Sequence, residues 1–113
     1  MYTEKQPDVP NHPLARLINK KVCNALIGRL WVGGNAFLYD DALEFRANWL
    51  NRLIHGRNIS WSIPLKEMRE VKVNYSFFTH IINIRTGNAS FNIRCYGADG
   101  FANEINSLYR HDN

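Results

Sequence analysis

Short segments in which apolar and polar residues alternate make up most of this chain between Ile27 and Tyr96. Side chains of a β-strand point to opposite faces in turn, so this period of two predicts strands that bury one face. We predict seven of them, over residues 27–32, 35–39, 42–46, 59–65, 68–73, 80–86 and 89–96. They follow one another without a helix between them, whereas consecutive parallel strands need a crossover helix. The sheet is therefore predicted to be antiparallel.

The C-terminal segment has a different period. After Asp99, a suitable helix N-cap, Phe101, Ile105 and Leu108 recur at intervals of four and three residues, which places them in one stripe of an α-helix. An isolated helix of this kind has to bury its apolar stripe. The predicted fold class is thus mainly β (α+β): a seven-stranded antiparallel barrel or sandwich capped by one C-terminal helix.

Turn-forming residues separate several of the predicted strands. The glycines at 33–34 are predicted to form a turn that tolerates positive φ, and the aspartates at 40–41 a second turn. The Gly-Asn pair at 87–88 suits a tight hairpin. Pro64 cannot donate a hydrogen bond to a β-ladder, so it is predicted to end its strand or to lie at a sheet edge.

The chain is short enough to form a single domain with one modest core. Its first 13 residues hold three of the four prolines, which is typical of a loose leader. Apolar residues in the segment 13–22 have helix-like spacing, so a short amphipathic helix and an extended lead-in to the first strand both stay open. We predict a leader over residues 1–21, helical or flexible, and a domain over residues 22–113.

The tryptophans and cysteines of the predicted strands are expected to be structural. Trp31 and Trp61 lie on alternating segments and are predicted to belong to the core. Cys23 and Cys95 form neither a disulfide framework nor a zinc site, which would need further ligands at close spacing. They are predicted to be half-buried thiols.

Catalytic signals are weak throughout the sequence. The histidines at 12, 55, 80 and 111 are scattered without metal-ligand spacing. The adjacent acids Asp40 and Asp41 fall in a turn, where aspartate usually bonds to its own backbone. No glycine-rich phosphate loop opens a helix. We therefore predict no enzymatic activity, no metal site and no cofactor.

Basic residues are unevenly distributed along a chain whose net charge is +4. Residues 9–34 contain four basic residues and no acid, and residues 45–66 contain another four and no acid. Anionic lipid, nucleic acid or an acidic protein could use such surfaces, and a mixed solvated surface explains them equally well. The mild net charge and the strand positions of the aromatic residues argue against nucleic acid.

The segment NWLNRLIHGRN interrupts the strand pattern and combines apolar with basic residues. In an exposed loop, the apolar side chains could enter an acyl layer while the cations meet phosphate groups. The alternative is packing, in which Trp49 and Leu50 fold over an open barrel end and the arginines are merely solvated. The predicted contact residues are Trp49, Leu50, Arg52 and Arg57, with Arg46 and Lys66 in support.

The order of several strings resembles the GRAM group of pleckstrin-homology-like (PH-like) domains. These strings are GRLWVGG, LEFRAN, SWSIPLKEMREV and IRTGN, followed by an F-x-I strand and a helix. The resemblance implies a PH-like barrel or sandwich, and a groove between a strand edge and the terminal helix where a peptide can add. Two departures, the acidic turn at 40–41 and a first hairpin with Arg29 as its nearby charge, argue against stereospecific phosphoinositide recognition.

These observations predict a non-enzymatic binding module that associates peripherally with anionic membrane lipids. The alternative partner is a protein, bound in the strand-edge groove, or a second copy of the chain in a homodimer. The sequence has no apolar run of about 20 residues and its N-terminus has no apolar signal segment. The predicted location is cytoplasmic, at the periphery of a membrane.

Overall fold

The computed structural model describes residues 14–48, 59–75 and 80–109 of the 113-residue chain. Within them the fold is a seven-stranded antiparallel sheet followed by one C-terminal helix, which confirms the predicted fold class. The elements are β1 (Leu17–Ile27), β2 (Leu30–Tyr39), β3 (Ala42–Ala47), β4 (Ser60–Pro64), a 3₁₀ turn (Leu65–Glu67), β5 (Met68–Tyr75), β6 (His80–Thr86), β7 (Ser90–Arg94) and α1 (Ala98–Tyr109).

The strands follow the order β4-β3-β2-β1-β7-β6-β5 across the sheet. β4 and β5 are its two edges, so the sheet is not closed into a barrel. The 3₁₀ turn links these two edge strands along the chain. Pro64 is the last residue of β4, so it both ends its strand and lies on an edge, as the missing amide proton requires. The predicted turns at 40–41 and 87–88 are confirmed.

The first hairpin differs from the prediction. Residues 33–34 do not form a turn, because they lie inside β2. The turn is made by residues 28–29 instead, where Gly28 has a φ of 63°, a conformation that glycine adopts without a steric penalty. Residues 17–21, assigned to the leader, belong to β1, so the extended alternative holds there and the helical one does not. Residues 1–13 of the predicted leader lie outside the described residues.

The core lies on the inner face of the curved sheet, under α1. The predicted helical stripe is confirmed, since Phe101 and Ile105 are buried and Leu108 packs against the core. Trp61 also packs on the core, between Phe45 and Phe91, with ring centroids 5.8 and 5.0 Å away.

Trp31 does not belong to this core. It follows Leu30 in β2 and precedes the buried Val32, so its side chain points to the opposite face of the sheet. The guanidinium of Arg94 lies 4.2 Å from the centre of its ring. The prediction of a core position was therefore wrong for Trp31.

Across residues 14–48, 59–75 and 80–109, no helix combines the length and the apolar character needed to cross a membrane.

Candidate binding groove

β1 lies between β2 and β7 and extends well beyond the short stretch that pairs with β7. It pairs with β2 along its whole length, but with β7 only through Asn24↔Arg94 and Ala25↔Ile93. Among the described residues, the stretch Leu17–Cys23 thus has no strand partner on its second edge. The N–H and C=O groups of an open strand edge are a template for another extended chain.

Helix α1 lies opposite this open edge. It packs on β5 and β6, and the amide of Asn19 in β1 donates a hydrogen bond to Glu104 Oε1 in α1 at 2.6 Å. Near the start of the helix lies a groove of about 790 Å³. Residues 22–24, residues 94–99 and His80 line it. We call this space the β1–α1 groove.

Two large side chains beside the groove remain exposed. Val22 in β1 is 79% exposed, and Tyr96, in the connection from β7 to α1, is 96% exposed. Scattered exposed apolar residues are common on protein surfaces. Here they flank an open strand edge, so one extended ligand could use the backbone groups and bury these side chains at once.

Cations in and around the groove lack carboxylate partners. Among the described residues, no carboxylate lies within ion-pair distance of Lys20, Lys21 or Arg94. The Lys20 ammonium lies 5.6 Å from the ring centre of Phe37, and the Arg94 guanidinium lies over the ring of Trp31. These cations are therefore available to an acidic ligand.

The acids near the groove are, in contrast, already engaged. Asp99 accepts a hydrogen bond from the Tyr75 hydroxyl at 3.2 Å and lies 3.8 Å from His80 Nδ1. Tyr75 and His80 also contact each other edge to face at 4.6 Å. The hydrogen bond to the Asp99 carboxylate raises the pKa of Tyr75, because ionising the phenol would remove the donated proton. Glu104 is held by Asn19.

The two cysteines are thiols with perturbed acidity. Burial raises the pKa of Cys23 to about 12, and burial also raises the pKa of Cys95, opposed by the nearby Lys21 ammonium. Thiols with raised pKa values are poor nucleophiles at neutral pH. Among the described residues, no three His, Cys, Asp or Glu side chains form a group that could hold a metal ion.

Comparisons with known proteins identify the fold. No family model matches the sequence, and no curated protein matches it. Among solved structures, the Vps36 N-terminal PH domain aligns with a TM-score of 0.72 at 11% identity, covering 98% of this chain and 92% of that one. The chain has a pleckstrin-homology-like fold.

Two further structures share this PH-like fold. The C-terminal domain of an unknown protein from Leishmania infantum aligns with a TM-score of 0.71 at 16% identity, covering 84% of each chain. The linker-DH/PH domains of p115-RhoGEF align with a TM-score of 0.69 at 9% identity, covering 88% of this chain and 31% of that one.

The predicted contact residues of the loop lie mostly outside the described part of the PH-like fold. Trp49, Leu50, Arg52 and Arg57 all fall between Asn48 and Ile59, where the structure describes no residue. These four positions stay predictions.

The two supporting cations lie near opposite ends of β4, Arg46 in the neighbouring strand β3 and Lys66 in the 3₁₀ turn. Arg46 pairs in register with Ser60 at the start of β4, whereas Lys66 lies in the 3₁₀ turn after its end. Arg46 is held in place: its Nη2 lies 2.8 Å from Oε1 of the buried Glu44, and its guanidinium lies 5.0 Å from the ring centre of Phe37. Lys66 is exposed.

Sequence reasoning missed the groove residues of the PH-like fold. Lys20 and Lys21 belong to an acid-free stretch and Val22 to the segment before the first predicted strand, and no sequence pattern links these residues to Tyr96. These residues come together because β7 stops pairing with β1 after two residue pairs. The length of that ladder cannot be predicted from a local sequence pattern. The basic stretch over residues 9–34 was the available signal.

Proposed function

We propose that this chain is a non-catalytic binding module whose β1–α1 groove takes an extended segment of a protein partner. The observation that carries the proposal is the open edge Leu17–Cys23, which faces α1 across the groove. An added strand would form main-chain hydrogen bonds with β1 and place alternate side chains against Val22 and Tyr96.

The charges around the edge favour an acidic partner segment. Lys20 and Lys21 lie near the middle of the open stretch, and Arg94 lines the groove at its end. A second copy of the chain is less favourable, because antiparallel pairing of two β1 edges about their midpoint would place Lys20 opposite Lys20. Like charges in directly opposed positions destabilise a strand pair.

We expect a fluorescein-labelled peptide of alternating valine and glutamate to bind the full chain, and the matching valine and lysine peptide not to bind. Replacing both lysines (Lys20→Glu with Lys21→Glu) should weaken binding of the acidic peptide by at least about tenfold, because like charges then face each other. Fluorescence anisotropy titration measures both affinities.

The matched control reverses the same number of charges away from the groove, in Lys66→Glu with Arg69→Glu, two exposed positions. It should bind the acidic peptide nearly as well as the unmodified chain. Equal losses in the two double variants would assign the attraction to net charge and contradict the groove. Absence of binding to the acidic peptide would overturn the proposal.

A second candidate function, association with an anionic membrane, is supported by the end of the fold that carries the first hairpin turn. Arg29 is exposed there and Leu30 is 56% exposed. Ala47, the last residue of β3, pairs with Gly34 of β2, so β3 ends toward the same end of the sheet. The loop residues predicted from the sequence follow β3 along the chain and belong to the same proposed function.

For this second function we expect cosedimentation with phosphatidylcholine vesicles only when phosphatidylserine is added, and weaker cosedimentation at physiological than at low salt. Each cation near an anionic surface contributes about 1 kcal/mol, so Arg29→Ala should lower vesicle affinity about fivefold. Reversing the predicted loop cations, in Arg52→Glu with Arg57→Glu, should lower it further. Arg69→Ala on β5 is the control. Binding that ignores lipid charge, or survives these changes, would contradict a membrane role.

We also propose that the chain is a GRAM-group domain and that it is located in the cytoplasm, at the periphery of a membrane. Membership of the GRAM group is supported by the order of the strings GRLWVGG, LEFRAN and SWSIPLKEMREV. A cytoplasmic location at the membrane periphery accords with the vesicle-binding candidate and is tested by the same sedimentation experiment combined with fractionation of cells.

A further inference from the structure

Cys23 and Cys95 each adjoin the last paired residues of the β1–β7 ladder. The last paired residues of the β1–β7 ladder are Ala25↔Ile93 and Asn24↔Arg94, so the same antiparallel register brings Cys23 and Cys95 together next. Both residues line the β1–α1 groove. Directly opposed residues of antiparallel strands have Cβ atoms about 4.5 to 5.5 Å apart.

Both thiols also point to the same side of the sheet. Cys23 is 5% exposed and belongs to the core cluster, and Cys95 is partly buried against that cluster. Their mutual influence is visible in their acidity, since Cys95 contributes to the raised pKa of Cys23. The pair is therefore close in space, on one face, and bounded by a cavity.

We propose that Cys23 and Cys95 are a thiol modification site, which a low-molecular-weight disulfide of the glutathione class converts to an intramolecular disulfide that narrows the β1–α1 groove. The effect on ligand binding rests on the function proposed above. Formation of the disulfide is independent of that function, because it depends on these two cysteines alone.

The reaction proceeds by two exchanges. The Cys95 thiolate attacks one sulfur of the reagent, whose S–S bond breaks and releases one small thiolate. The Cys23 thiolate then attacks the Cys95 sulfur of the mixed disulfide and releases the second. The two protein thiols are oxidised, the reagent is reduced to two thiols, and the two protons lost by the cysteines pass through solvent to the leaving thiolates.

The order of attack follows from exposure and charge. Cys95 is the more accessible of the two thiols, and the Lys21 ammonium favours its thiolate. Because burial raises both pKa values, we expect the reaction to be slow at neutral pH and to accelerate as pH rises, when more thiolate forms.

Forming the bond requires a small movement at the free end of the ladder. Disulfides hold their Cβ atoms about 3.5 to 4.5 Å apart, so β1 has to approach the end of β7 by about 1 Å from the spacing of opposed residues. Neither cysteine takes part in the β1–β7 ladder, which ends at Asn24↔Arg94, so the shift extends the pairing and breaks none of it. It also draws two walls of the groove together.

The test treats the full chain with oxidised glutathione at mildly alkaline pH and follows its intact mass. We expect the loss of two hydrogen atoms, and a non-reducing digest in which the peptides containing Cys23 and Cys95 are linked. The Cys23→Ser variant should instead stop at a glutathione adduct on Cys95. A stable adduct on the unmodified chain, or no reaction, would overturn the thiol site.

The acidic probe peptide then separates this site from the proposed function. Oxidation should weaken its binding by about tenfold, the effect of losing one or two hydrogen bonds, and reduction should restore it. If the disulfide forms but neither form of the protein binds the probe, the thiol site stands and the peptide function is wrong. If both forms bind equally, narrowing of the groove is wrong.

Discussion

Replacing Gly34 with alanine is expected to lower the free energy of unfolding by about 3 kcal/mol, as overpacking of a close backbone contact does. A Cβ atom at this position would overlap the carbonyl oxygen of Arg46 and lie 2.8 Å from Cα of Ala47. Both obstacles are backbone atoms of the paired strand β3, so no side-chain rotation relieves the clash. Urea denaturation followed by tryptophan fluorescence measures the loss.

The matched control is the same substitution at Gly100, in the first turn of α1. A Cβ atom there would have no neighbour within 4 Å, and alanine favours the helix more than glycine does. We expect Gly100→Ala to raise stability by about 0.5 to 1 kcal/mol. Similar effects of the two substitutions would show that β2 and β3 do not approach as closely as described.

Phe101→Ala is expected to destabilise the chain by about 3 to 5 kcal/mol, because it deletes a large buried ring and leaves a cavity. Phe101 is 1% exposed and joins the core beneath the sheet. It is also the anchor at the start of α1, where its N–H donates to the Gly97 carbonyl at 3.0 Å. Denaturant midpoints of the unmodified chain and the variant measure the change.

Leu108→Ala tests the same helix where burial is partial. Leu108 only packs against the margin of the core, so its truncation should cost less than half as much as that of Phe101. Equal losses would mean that the two side chains are buried alike and that α1 lies on the sheet differently. Far-ultraviolet circular dichroism checks that both variants keep the helix.

Strict periodicity was sufficient to predict the regular elements. β6 alternates from Ile82 and β7 alternates along its length, on either side of a Gly-Asn turn, and both were predicted within one or two residues of their ends. The stripe of α1 was equally clear, because a helix that packs on one side repeats its apolar residues every three or four positions. In each case the local pattern records burial on a single face.

β1 was not predicted as the first strand because its pattern is irregular. Its pairing with β2 shifts between Leu17 and Asn19, and such a bulge moves the following side chains to the other face. Ile18 therefore reaches the core where a strict period of two would not place it. The resulting spacing looked helical when read from the sequence alone.

The sequence by itself determined the strands β3 to β7 and the terminal helix, since each depends on a repeat within one element. Only the tertiary structure decided the role of Gly34, which is glycine because β3 lies against it. Tertiary structure also decided the groove, because Val22 and Tyr96 line one space only where β7 ends its short ladder with β1. Contacts between residues far apart in the chain depend on register and strand length, and no local pattern contains them.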